Sequence, residues 1–287
     1  MNAINGAVNV LFDLALKPLE LLGREFALLV VSGVFGIGAL VAFKHISWQR
    51  GIRQTKDKIK GHMIAIRIYQ DDLVVVMRST ANVLTRILQY LGLNFGPFVP
   101  LALPFVFVVA QMVTRYGFEP LAVHEPSRVA QMLPGQGTLV RIEFAPEHAA
   151  RAGELELMLP TGVEALSPLA RIPSRGLAFQ EIAATEAGLH ELELRLADGT
   201  SESKLLAAGD VDAPLLQPER VRSIWLSFMW PAEDRFPPDS PFSRVSFHYP
   251  DGELAWLPDG AGGIVITFIL ASMVFGFAML KPLGVEI

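Results

Sequence analysis

The stretch FALLVVSGVFGIGALVAF, residues 26–43, runs for eighteen residues without a charged side chain. As a helix it rises about 27 Å at about 1.5 Å per residue, close to the hydrocarbon thickness of a bilayer. Two further stretches share this character: residues 94–115, uncharged up to Arg115 and with Pro97, Pro100 and Pro104, and residues 261–280, which stop at Lys281 and Pro282. Prolines in a first helical turn cost little, because the N–H groups they lack would be unpaired there, and Pro104 predicts a kink. The three stretches account for a chain that is 51% hydrophobic and 18% charged, and they predict three transmembrane helices. That composition excludes a disordered chain. The absence of cysteine excludes a disulfide scaffold, thiolate chemistry and Cys-based metal sites.

Regional charge orients the spans. Residues 44–93 carry nine Lys and Arg against three Asp, whereas residues 115–260 carry 12 Lys and Arg against 22 Asp and Glu. Basic residues in short loops stay cytoplasmic, so residues 44–93 are expected inside and the long acidic region outside. The N-terminus then lies outside and the tail, residues 281–287, inside a multi-pass cell (inner) membrane protein. Residues 1–25 form an amphipathic helix: Asn5, Asn9, Asp13, Lys17, Glu20 and Arg24 make one polar stripe on an otherwise apolar surface. That pattern fits a helix lying flat in the membrane interface or one packed on a partner.

The cytoplasmic segment reads as a helical hairpin. Ile59, Met63, Ile66 and Ile68 on one arm, and Leu73, Val76, Met77, Val83, Leu84 and Leu88 on the other, are spaced for antiparallel pairing. Its charges fit a solvated face; alternatively Lys56, Lys58 and Lys60 hold it against anionic lipid or meet ribosomal or nascent-chain charge. After Tyr116 the rhythm changes to period two. Residues 139–144, 155–159 and 189–196 alternate apolar and charged positions, and Leu192, Leu194 and Leu196 face opposite to Glu191, Glu193 and Arg195 before an Asp198-Gly199 turn. Residues 116–260 are therefore expected to form an all-β domain, a sandwich of immunoglobulin-like kind, with residues 221–249 a final hairpin or a small second lobe.

Signals for catalysis are missing. The six histidines form no HExxH or His-x-His pair, and there is no Walker loop and no GxSxG. Acidic pairs such as Glu154 with Glu156 share the wet face of a strand. Neither an enzyme, a metal site, a cofactor nor nucleic-acid binding is expected. Within the spans the polar and small inventory is Ser32, Gly36, Gln111, Thr267 and Ser272. Such residues allow close helix approach, or they line a shallow, partly hydrated groove for another hydrophobic helix.

Short motifs fall in a telling order. Lys17-Pro18-Leu19 follows the amphipathic start, Tyr69-Gln70-Asp71-Asp72 turns the hairpin, and Gly92-Leu93-Asn94 with Gly96, Pro100, Leu101 and Pro104 opens the second span. Over residues 1–116 and 260–287 the chain resembles the Oxa/YidC/Alb membrane-insertase superfamily, as a three-span core with an inserted outer domain. Where that family's insertases carry a groove arginine, Gly36, Ile37 and Gly38 stand here, and the nearest cation is Lys44. The resemblance implies an insertase or membrane chaperone working on nascent membrane proteins beside a ribosome or translocon, with Asp71 and Asp72 among the hairpin's contacts. The alternative is a membrane-anchored interaction or scaffold protein whose acidic β-domain binds an envelope partner.

Overall fold

The structure, a computed structural model, describes residues 2–133, 135–211 and 215–285, with side chains from residue 6 onward. Its helices are α1 (Asn2–Glu20), α2 (Arg24–Ile46), α3 (Gln49–Ile68), α4 (Leu73–Phe95), α5 (Phe98–Tyr116), α6 (Pro126–Val129), α7 (Ile224–Ser227), α8 (Gly260–Ala278) and α9 (Leu280–Leu283). The strands are β1 (Thr138–Phe144), β2 (Glu156–Met158), β3 (Val163–Ala165), β4 (Ala170–Ile172), β5 (Leu177–Ala184), β6 (Gly188–Arg195), β7 (Ser201–Ala208), β8 (Glu219–Val221) and β9 (Phe242–Ser246). Helices with antiparallel sheets are thus what the sequence leads one to expect. Three helical runs are long and apolar enough to cross a membrane: α2, the run from Leu73 to Tyr116, and α8. The chain divides into two compact units, one of residues up to 28 and 107–267, the other of residues 29–106 and from 268 onward.

In the second unit α3 and α4 form an antiparallel pair. Asp72 starts α4: its Oδ1 accepts from the amides of Val74 at 3.0 Å and Val75 at 3.1 Å, two donors that have no partner within the helix. Replacing Asp72 with alanine should cost about 1 kcal/mol, and asparagine should retain most of it. Faster amide hydrogen exchange at Val74 and Val75 alone would report the loss, and unchanged exchange would show the cap to be idle. The pairing face is narrower than the sequence suggests. Ile59, Ile66, Val76 and Val83 turn toward the pair, but Met63, Ile68, Leu73, Met77, Leu84 and Leu88 are exposed. A single, largely polar helix covers only one stripe of α4, whose apolar residues extend around more of its surface.

The first unit carries α1, the end of α5, the β-domain and the start of α8. Part of the polar stripe of α1 meets α5, while Lys17 and Arg24 are exposed. Asp13 pairs with Arg115 at 2.5 Å, Asn9 Oδ1 accepts from Gln111 at 2.7 Å, and Glu20 accepts from the Tyr116 hydroxyl at 2.8 Å. The opposite face, with Val10, Leu11 and Leu14, is exposed.

Two antiparallel sheets share one apolar core. The larger runs β3-β5-β1-β9-β8, with β4 also on β5, and the smaller runs β2-β6-β7. Val140, Ile142, Ile182, Leu192, Leu194, Leu206, Phe242 and Val245 from both sheets meet in that core. The β6–β7 hairpin pairs Gly188 with Ala208 through Arg195 with Ser201, as the alternation of leucines and charges requires. Residues 221–249 close the larger sheet as a wide β8–β9 hairpin, not as a second lobe. The connections to the helices are tight. Glu119 donates its amide to Pro250 and Gly252 to Gly117, and a Cβ on Gly252 would lie 2.3 Å from the Tyr116 carbonyl oxygen.

The outer edge of β7 is sealed by side chains. Arg220 donates to the Ser203 carbonyl, Glu233 accepts the Leu205 amide at 3.0 Å, Lys204 donates to the Leu205 carbonyl at 2.9 Å, and the Tyr249 hydroxyl accepts the Ala207 amide at 2.8 Å. The Ala207 carbonyl takes the Leu121 amide. Lys204 and Glu202 point inward from β7, a device that keeps an edge strand from pairing with a stranger. Lys204 is fully buried, ion-paired with Glu233, bonded to the Gln217 carbonyl at 2.7 Å, and sits 4.8 Å from the Phe247 ring centre. Burial lowers its pKa, and the Glu233 carboxylate opposes that. Burial pushes the Glu202 carboxyl up, against the pull of Arg220 at 3.3 Å.

Candidate functional site

Within the second unit α2, α5 and α8 converge around aromatic rings: Phe35, Phe105 and Phe268 pack at centroid distances of 5.3 to 5.8 Å. Close approach of α2 to α8 depends on a missing side chain, since a Cβ on Gly36 would lie 2.1 Å from the Ser272 carbonyl oxygen. Beside this crossing opens a crevice of about 480 Å³, lined by Phe35, Gly36, Ala39, Leu40 and Phe43 of α2, Phe98, Leu101, Ala102 and Phe105 of α5, and Ile269, Ser272, Met273, Gly276 and Phe277 of α8. All of these sit toward the α3–α4 end of their helices. Ser272 is the one hydroxyl among them, and its Oγ donates to the Ile269 carbonyl at 2.9 Å, one turn back in its own helix. The crevice therefore presents a largely apolar surface to an occupant, with the Ser272 donor already used. Below it, Lys44 donates to the Leu283 carbonyl at 2.7 Å, fixing the end of α2 to α9.

The five span residues singled out from the sequence separate. Gly36 and Ser272 line the crevice; Ser32, also in the second unit, is buried and does not line it. Gln111 and Thr267 are buried in the first unit, and Gln111 is committed to Asn9. Polar groups mark a groove in a sequence, and aromatic lining residues such as Phe98 and Phe105 do not. An apolar residue in a span carries no signal that separates a crevice wall from a lipid-facing surface.

On the hairpin, Lys56 lies 5.7 Å over the Tyr90 ring, while Lys58 and Lys60 are exposed. Asp72 is the helix cap described above and Asp71 is exposed. Among the described residues no cluster of His, Asp and Glu has the geometry of a metal site. No family model, no curated protein and no solved structure matches the chain.

Proposed function

We propose that the protein is a membrane chaperone or insertase of the Oxa/YidC/Alb kind, which shelters a hydrophobic segment in the crevice before that segment partitions into lipid. The observation that carries this reading is the aromatic-lined, apolar crevice among α2, α5 and α8. A segment leaving water gains about 25 cal/mol for each Å² of apolar surface it buries there. Hydrocarbon offers the same environment, so the crevice holds the segment against water without trapping it against lipid. The basic α3–α4 hairpin supports a cytoplasmic hairpin, with α1 and the β-domain outside the cell (inner) membrane. The crevice then opens in the leaflet nearest the ribosome. The immunoglobulin-like reading of the outer domain rests on its paired antiparallel sheets and shared core.

Photocrosslinking during translation tests this. A photoreactive residue replacing Leu101 or Met273 should capture nascent membrane proteins, whereas one replacing Val34, exposed and outside the crevice, should not. Capture of a single full-length partner from the crevice positions would instead favour the reading of a membrane-anchored scaffold whose acidic β-domain binds an envelope protein.

A further inference from the structure

A second pocket lies in the β-domain, of about 360 Å³, lined by three arginines, Arg222, Arg235 and Arg244, together with Ser223, Ser243 and Leu226. In a region whose overall charge is acidic, no carboxylate lines it. The arginines are held in place: Arg222 donates to the Ser240 carbonyl at 3.1 Å and pairs with Glu147 at 2.9 Å, Arg235 donates to the Arg222 carbonyl at 3.3 Å, and Arg244 lies 3.7 Å from Glu219. Neither Glu147 nor Glu219 is part of the lining. A guanidinium has five donors, so each of these pairings leaves further N–H groups for an anion. Planar forks beside two serine hydroxyls suit a phosphate.

The pocket adjoins the most exposed apolar segment of the domain. Trp225 is 76% exposed, with Ile224, Leu226 and Met229 exposed around it. This segment is anchored to α1 and to the end of α5. Trp230 packs on Phe118, just past the end of α5, at 6.3 Å between ring centres, and the Pro231 carbonyl accepts from Asn9 of α1 at 3.1 Å. Trp230 lies four positions after Leu226, a reach of at most about 14 Å. Exposed Trp256 stands next to Ala255, whose amide donates to Glu25 in the first turn of α2 at 2.7 Å. Tryptophans beside the ends of helices that cross a membrane are the mark of a headgroup belt.

We infer that the β-domain docks on the leaflet beneath it, with Trp225 and Leu226 entering the interface and Arg222, Arg235 and Arg244 holding the phosphate of an anionic phospholipid. Apolar insertion and phosphate binding reinforce each other, because the pocket and the apolar segment share Leu226. The docking is independent of what occupies the crevice between the spans.

Because the chain has no cysteine, Trp225→Cys gives one labelling site in the full-length protein. A nitroxide there, in nanodiscs of phosphatidylcholine with one quarter phosphatidylglycerol, should be more accessible to oxygen than to a water-soluble nickel chelate. A label at Glu191→Cys, on the exposed face of β6, should show the reverse. Adding Arg235→Gln and Arg244→Gln should lower the docked-to-undocked ratio roughly fivefold per arginine. Phosphatidylcholine alone should weaken docking similarly. A label at position 225 that stays water-accessible in the anionic discs overturns the proposal. Lipid immersion that ignores both phosphatidylglycerol and the arginine changes overturns the phosphate site. Release by millimolar inorganic phosphate would show a soluble anion to be the ligand and overturn the lipid assignment. Leu226→Ser, at an exposed position, should reduce immersion with all three arginines intact, which separates failed docking from a misfolded pocket.

Discussion

Leucine in place of Gly36 is expected to destabilise the helical unit by about 3 kcal/mol, while alanine in place of Gly38, two residues away, should be neutral or slightly stabilising. The two glycines differ in their surroundings and not in their chemistry. A Cβ at position 36 meets the Ser272 carbonyl oxygen at 2.1 Å and the Ser272 Cα at 2.8 Å, whereas a Cβ at position 38 meets nothing within 4 Å. The obstacle at Gly36 is backbone, so no rotamer change relieves it, and α8 must move from α2. Heating the detergent-solubilised protein and following its monomer peak by gel filtration compares the two variants directly. Equal midpoints would show that the α2–α8 crossing does not hold the unit together.

A second large effect is expected at Glu233. Changing it to glutamine leaves Lys204 buried without its counter-charge, and breaking one half of a buried pair costs about 3 to 5 kcal/mol. The pH dependence separates this from simple loss of packing. Burial lowers the proton affinity of Lys204 in the folded state, so above its folded pKa the unfolded chain binds more protons, and stability rises with pH. Without Glu233 the folded pKa falls further. The variant should therefore recover on the wild type as pH climbs toward the ordinary lysine range near about 10.4. Denaturant unfolding of both proteins across neutral to alkaline pH would show this, and a loss independent of pH would mean that the lysine charge is not its source. Replacing both residues, Lys204→Met with Glu233→Gln, should restore much of the stability.

How much of this was legible in the sequence depends on how local each cause is. The three long apolar helices are legible because eighteen uncharged residues in a row are long and apolar enough to cross a membrane, and the β6–β7 hairpin because Leu192, Leu194 and Leu196 alternate with charges. The rule that charges face outward fails one strand later. In β7, Glu202 and Lys204 share the inward face of Leu206 and Ala208, because Arg220 of β8 and Glu233 of the β8–β9 connection receive them. The α1 stripe is legible as a stripe, but not that Asn9, Asp13 and Glu20 in it reach Gln111, Arg115 and Tyr116, about a hundred residues on. On α4 the apolar positions are legible, but which of them α3 covers is not. The crevice escaped for a related reason: its walls are phenylalanines and leucines indistinguishable in sequence from the rest of a span.

The sealed edge of β7 bears on how densely these molecules can be crowded. Proteins confined to a plane meet one another far more often, and in a common orientation, than the same number free in a volume. A domain offering bare strand backbone under those conditions would line up with its neighbours into ribbons. With Arg220, Glu233, Lys204 and Tyr249 bonded to the backbone groups that such growth needs, the β7 edge gives a neighbour no ladder to extend, a property that would matter most if the three apolar helices confine the protein to a membrane.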